Sequence, residues 1–381
     1  MNFDLFDRTI LLTRAGSRAY GIHTPTSDLD VKGVAIPPAE WIIGLQTFEQ
    51  ADKQTHFEDP RIRALLSPEE VEVVKETKLE GTIYEMRKLV KLALDCNPNC
   101  LDVLFCRDED VLHATEAGRL LRASRDLFIS AAAKFRFSGY AISQLKRIQL
   151  HRRHLLQPPS HKPTRAEFDL PETTLIPQDQ LAAAESMVTK QLDSWEMDLS
   201  KVPDESDRLN IMAQFRETMT TMIANAKEDE ATTRYRAAAR TVGIDDNLLA
   251  VMERERSYKG KKAEWDNYEN WRKTRNPARA ALEAKHGYDS KHAGHLYRLL
   301  KMCREILTTG KVNVWRGGID AEEILAIRNG AWTYEQVLEF AETEDKALTE
   351  IYNTKKYVVP HRPNSEAVEA LVVKLYREAL S

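Results

Sequence analysis

The sequence predicts an α+β protein, a small mixed-sheet head followed by a large, mostly α-helical body. Three observations carry this. The first hundred residues alternate short β-branched or apolar runs with Gly, Pro and Ser/Thr/Asp punctuation. Past Tyr84 the apolar positions change to helical spacing. The chain has 381 residues with only 15 Gly and 15 Pro, too few for a low-complexity protein and long enough for two or three domains.

In the head, residues 10–13, 31–36 and 71–79 read as strands. Met86, Leu89, Val90, Ala93 and Leu94 then share one helical face, and Asn97-Pro98 stops that helix. Helices follow at 101–105, 116–123, 130–156, 178–196, 207–226, 228–241, 291–308, 321–328, 333–352 and 365–379. Pro158, Pro159, Pro163, Pro171 and Pro177 make 157–177 a linker, and 199–206 is a looser one. The resulting division is a head at 1–110, a basic helical extension at 111–157, an inserted helical subdomain at 158–258 and a C-terminal helical domain at 259–381.

Composition excludes several classes. With 55 Lys+Arg against 59 Asp+Glu and a net charge of −4, the chain is no uniformly basic nucleic-acid binder. Four cysteines do not make a disulfide framework. Cys96, Cys100 and Cys106 lack the CxxC spacing or paired His of a zinc site, so they and Cys303 read as small buried side chains. Acidic residues stand where a signal peptide would carry positive charge, and the apolar run at 9–13 is too short to span a bilayer. A cytoplasmic protein with no membrane partner is expected.

Charge is unevenly spread. From Leu127 to Ala166 there is no carboxylate among eight Lys/Arg, and from Arg272 to Arg304 nine Lys/Arg face only Glu283 and Asp289. Acids gather from Asp193 to Asp207 and from Glu335 to Glu350. A basic tract is commonly a solvated face, but one this long favours a phosphate-bearing partner.

The chemistry-bearing segment is RAGSRAYGIHTPTSDLDVKG, residues 14–33. A strand runs into Gly16-Ser17, where a residue without a Cβ and a small hydroxyl let backbone N–H groups approach an anion at the start of a short helix. After a ten-residue gap comes Asp28-Leu29-Asp30, leading into the next strand; residues two apart share a face, so both carboxylates converge. Hard oxygen donors without His or Cys suit Mg2+, or Mn2+, shared with substrate phosphates, and a pair of such ions suits in-line phosphoryl or nucleotidyl transfer. Alone, an Asp-x-Asp is most often a turn feature. The ordered combination of strand, Gly-Ser, gap, Asp-x-Asp and strand is far more specific.

That combination resembles the DNA polymerase beta-like nucleotidyltransferase superfamily. GSRAYG with TPTSDLDVKGV, then GTIYEMRKLVKLALDCNPNCLDVLF, then RNPARAALEAKHGYDSKHAGHLYRLLKMCREILTTGKV resemble, in order, the RNA-ligase-associated family of nucleotidyltransferases, over about residues 8–110 and 268–340. The resemblance implies Mg2+-dependent transfer of a nucleotide from an NTP, with ATP the expected donor, and a partner in RNA ligation or repair. It implies that Gly16 and Ser17 hold the triphosphate, that Asp28 and Asp30 bind metal, and that Glu80, four positions before Tyr84, is the third acid. Glu72 and Glu76 share the alternation of the expected 71–79 strand and remain rivals. Cys96 stands where relatives have Gly or another small residue.

Lys88 near a helix start is a candidate phosphate ligand. In the later block, Ser290 reads as an N-cap, which puts Lys291, His295 and Arg298 on one face beside His292, a stripe suited to triphosphate or nucleic-acid backbone. Trp265, Tyr268 and Trp271, among Lys261, Lys262, Arg272 and Arg275, offer either base stacking or core packing. The expected reaction is transfer of a nucleoside monophosphate to an acceptor hydroxyl, foremost an RNA or tRNA end along the two basic tracts. The alternatives are nucleotidylation of a protein or small molecule at the same site, and an inactive relative that only binds RNA.

Overall fold

The computed structural model describes residues 3–25, 27–77, 79–174, 176–195, 230–275 and 277–380. The expected helix at 207–226, the linker at 199–206 and most of the acidic run from Asp193 to Asp207 lie outside them. The chain divides into two units, Met1–Gln157 with Asn276–Ser381, and Pro158–Arg275.

The first unit holds a mixed five-stranded sheet. Its strands are β1 (Thr9–Ala15), β2 (Leu29–Ala35), β3 (Gln50–Ala51), β4 (Leu79–Glu85) and β5 (Val111–Ala114), in the order β3-β4-β2-β1-β5. β2 and β4 run parallel; β1 is antiparallel to β2 and β5, and β3 to β4. The central strands are buried on both faces because successive side chains point to opposite sides. Leu12, Leu29, Val31 and Ile83 pack with Phe57 and Ile62 on one side. Leu11 and Val34 pack on the other with Leu89, Leu101 and Phe137, and with Leu296 and Leu300 of the Ser290–Thr309 helix. Sheet and C-terminal helices therefore share one core.

One expected strand is a helix. Residues 71–79 contain Val71, Val73 and Val74, but Ser67 accepts from the Glu70 amide, Glu70 returns to the Ser67 amide, and Pro68 opens the Pro68–Glu76 helix. This capping box with proline at the first turn outweighs a short β-branched run. β4 starts only at Leu79. Two short strands, β3 and β5, and the Pro277–His286 helix were not anticipated.

Among its described residues, the second unit packs the helices Gln178–Trp195, Glu230–Thr241 and Asp246–Thr274 around Leu181, Val188, Ala238, Ala239, Leu249 and Met252. The Asp246–Thr274 helix runs unbroken through the domain boundary expected at residue 258. The proline-rich segment at its start is irregular apart from the short Ala166–Phe168 turn. No described helix is long and apolar enough to cross a membrane.

Candidate active site

β1 ends where β2 and β4 begin, because β1 is antiparallel to β2 while β2 and β4 are parallel. The sheet thus gathers three separated stretches of sequence at one edge. Asp30 pairs in register with Ala15 on one side and with Glu80 on the other. Asp28, two residues earlier, stands exposed at the approach. Gly16 follows β1 with φ +60°, and a Cβ there would lie 2.1 Å from Oδ2 of Asp30. Only glycine fits. The helix that Gly16 opens, Gly16–Ala19, has four residues, and its N-cap, Ala15, provides no side-chain hydrogen bond. Ser17 is half-buried in it.

Beneath this edge lies a cleft of about 640 Å³, whose walls include Gly16, Asp30, Lys32, Glu80, His295 and Arg298. Burial raises the pKa of the Asp30 carboxyl, and the charges of Asp28 and Glu80 raise it further, against the opposing pull of Lys32 and Lys291. Lys32 continues the Asp28-Asp30 face of β2 and donates to Oδ1 of Asn99 at 2.8 Å. Burial lowers its pKa while the nearby Asp102 opposes that shift. Tyr20 donates its hydroxyl to buried Asp102. The guanidinium of Arg298 sits 3.6 Å over the Tyr20 ring, a cation–π contact that fixes the cleft floor.

The Ser290–Thr309 helix is capped by Asp289 rather than Ser290. The Asp289 carboxylate accepts from the His292 amide at 3.1 Å, while the Ser290 hydroxyl donates to the Arg328 carbonyl at 2.6 Å. His295 and Arg298 line the cleft, and Lys291 is close enough to influence Asp30. The expected cationic stripe is nevertheless incomplete. Burial, then the charge of Arg298, holds the His295 pKa well below the usual imidazole value, so the ring is neutral near pH 7. His292 turns to Asp289 and to the ring of His151.

Lys88 does not line the cleft. It follows β4, whose span from Glu80 to Glu85 is about 17 Å, and its ammonium pairs with Glu49 at 2.8 Å. Glu72 and Glu76 stand on the Pro68–Glu76 helix, out of register with Asp30, and Glu72 pairs with Lys75. Lys32, Tyr20, Asn99 and Asp102 were not singled out from sequence. Two signals existed: Lys32 extends the Asp28-x-Asp30 alternation, and Asp102 is a lone acid within the apolar run LDVLF.

The basic tracts are partly neutralised by acids from elsewhere in the chain. Lys134 pairs with Asp345, Arg136 with Asp95 and Arg165 with Glu255, while Arg304 pairs with Glu344. Lys146 and Arg147 are exposed with no ion pair among the described residues. Each tract is also divided between the two units. Trp265, Tyr268 and Trp271 form a ladder along one helix, with centroids 6.1 and 6.0 Å apart and the Arg275 guanidinium 4.1 Å from the Trp271 ring. All four cysteines are buried, and burial pushes Cys100 up to about 12 and Cys106 up to about 11.

Asp28, Asp30 and Glu80 offer oxygen ligands only, and Asp30 is crowded by like charge that a cation would relieve. This donor set fits Mg2+ or Mn2+. Among the described residues, the three-residue group whose ligand atoms approach within 4.8 Å is a different one, His151, Asp289 and His292. The three carboxylates stand wider apart, as mutually repelling anions do.

Comparison with known proteins gives one family. Residues 5–158 match the RNA repair pathway DNA polymerase beta family, so the resemblance carried by GSRAYG and SDLDVKG is borne out over that stretch. The match includes Gly16, Asp28, Asp30 and Glu80 and ends before the helix that bears His295 and Arg298. An uncharacterized 38.9 kDa protein from the nrdC-mobD intergenic region of Enterobacteria phage T4 is 27% identical over 141 residues, 36% of this chain and 38% of the phage protein. No solved structure matches.

Proposed function

We propose that the protein is a metal-dependent nucleotidyltransferase that moves a nucleoside monophosphate from an NTP, foremost ATP, to the terminal hydroxyl of an RNA, releasing pyrophosphate. The observation that carries this reading is the register of Asp30 with Glu80 directly beneath Gly16. Asp28, Asp30 and Glu80 would hold Mg2+, which when bound polarises the α-phosphate and stabilises the leaving oxygen. The chain's own residues do the rest. Gly16 and Ser17 present backbone N–H groups to the triphosphate. Lys32 and Lys291 moderate the negative charge around Asp30. Arg298 and neutral His295 line the cleft, where a nucleotide would be oriented. Exposed Lys146 and Arg147 are the candidates for holding the acceptor's phosphates.

The family match supports RNA as acceptor. The test is Mg2+-dependent incorporation from α-labelled NTPs onto RNA, DNA and protein. Label on RNA that disappears in an Asp28→Ala/Asp30→Ala double variant is expected. Equal incorporation by that variant would remove the site assignment, and label on protein alone would favour protein nucleotidylation.

A further inference from the structure

Outside the cleft, a second set of ligand-type side chains converges. His151 comes from the end of the Ala133–Leu156 helix; Asp289 and His292 come from the start of the Ser290–Thr309 helix. Nδ1 of His151 lies 3.0 Å from Oδ2 of Asp289, and Nε2 of His292 lies 3.6 Å from the same oxygen. Oε1 of Glu283 is 3.5 Å from Nδ1 of His151. Bonds of about 2.0–2.2 Å to a tetrahedral ion place its ligands about 3.3–3.6 Å apart. Asp289 stands within about 0.3 Å of that range from His151 and at its upper end from His292, and all three ligand atoms lie within 4.8 Å of one another.

The surroundings hold these atoms in place. Asp289 spends its other oxygen on the His292 amide, leaving Oδ2 facing both imidazoles. Arg152, next to His151, donates to the Gly287 carbonyl at 3.0 Å and fastens the loop that carries Asp289 to the same helix. Asp289 and Glu283 are buried, with side-chain exposures of 0% and 2%.

We propose that His151, Asp289 and His292 form a three-residue binding site for a borderline divalent transition ion, foremost Zn2+. Imidazole nitrogens select such an ion over the Mg2+ that suits the all-carboxylate edge of the sheet. The ion ties the end of one core helix to the start of the other. It thereby sets the helix that carries Lys291 and His295, so it is structural and separate from the transfer site.

The test uses the full chain, stripped with a chelator and titrated with Zn2+ and, as a spectroscopic probe, Co2+. One equivalent should bind, with visible Co2+ bands of four-coordinate intensity, and two of the ten histidines should show metal-shifted ring nitrogens in the 15N-labelled wild type. His151→Gln and Asp289→Asn should each weaken Zn2+ binding by more than about tenfold, a loss that outer-shell changes alone can reach. Asp28→Ala/Asp30→Ala should leave it unchanged. The site is refuted by absence of uptake at micromolar Zn2+, by unchanged histidine resonances, or by uptake lost only in the Asp28/Asp30 variant. Because the histidine spectrum is read on the wild-type chain, it decides the question even where a variant fails to fold.

Discussion

The Cα of Gly16 abuts the carboxylate of Asp30, so that a Cβ at residue 16 would overlap Oδ2 at 2.1 Å. The position also has φ +60°, where a side chain costs about 1–2 kcal/mol. Gly16→Ala must therefore displace Asp30, the backbone, or both. A misplacement of about 1 Å costs roughly 10²-fold in rate, whereas the stability loss should stay near the backbone penalty. Single-turnover incorporation alongside urea melts will separate the two. A Gly16→Ala enzyme with wild-type turnover would show that Asp30 is not positioned through this contact.

Parallel pairing of β2 with β4 puts Glu80, not Glu72 or Glu76, beside Asp30. Glu80→Gln keeps the shape and removes the charge, and should slow transfer by about 10²–10³-fold, as loss of one electrostatic contact to a developing charge does elsewhere. Glu72→Gln and Glu76→Gln should retain wild-type rates under the same Mg2+ titration. The reverse ranking would return the third acid to the Pro68–Glu76 helix.

Asp30 links pH, metal and stability. Its folded pKa is raised, first by burial and then by Asp28 and Glu80. The folded chain thus holds this proton more tightly than the unfolded chain does. The resulting stability is present below the unfolded carboxylate pKa, about 3.9, and is lost as pH rises through the folded pKa. Above that folded pKa the ionised Asp30 weakens the metal-free fold. Asp30→Asn should melt higher than wild type without Mg2+, by a margin that closes as pH falls to the unfolded value. Mg2+ should raise the wild-type midpoint and leave the variant's unchanged. Differential scanning fluorimetry across pH, with and without Mg2+, reads both effects.

Much of this arrangement was legible because local rules and tertiary structure agree. β1 and β2 follow their apolar runs, and the Glu116–Ala123 and Ala321–Arg328 helices follow their periodicity to the residue. Cys96, expected where relatives have Gly, does adopt a left-handed φ of 54° at the end of the Met86–Leu94 helix. Illegible features depended on partners distant in sequence. β3 has two residues and β5 four, too few to show alternation, and both exist because a longer strand lies beside them. Periodicity carries no information about charge either: the carboxylate-free tract from Leu127 to Ala166 meets its counter-ions in Asp345, Asp95 and Glu255. The neutral state of His295 arises from burial and from Arg298 beside it, which a helical stripe of Lys, His and Arg does not reveal.

Arg316 is a fully buried guanidinium held by Glu305 at 2.7 and 2.9 Å and by Asp320 at 2.6 and 2.7 Å. Its backbone amide donates to the Tyr20 carbonyl at 2.9 Å, so the same residue that neutralises two acids braces the turn after Gly16. Arg316→Met would leave two carboxylates facing each other with no cation between them, a change that costs about 3–5 kcal/mol when one partner of a buried pair is removed. Arg316→Lys should recover only part, because an ammonium cannot make paired bonds to both carboxylates. Adding Glu305→Gln and Asp320→Asn to Arg316→Met should restore much of the loss, since most of it comes from the stranded charges. Denaturant midpoints for the four proteins measure this. Tyr20 supports Arg298 through its ring, so the single Arg316→Met variant should also raise the KM for NTP at temperatures where it is still folded. A stability loss with an unchanged KM would mean that the Tyr20 turn holds its position without Arg316.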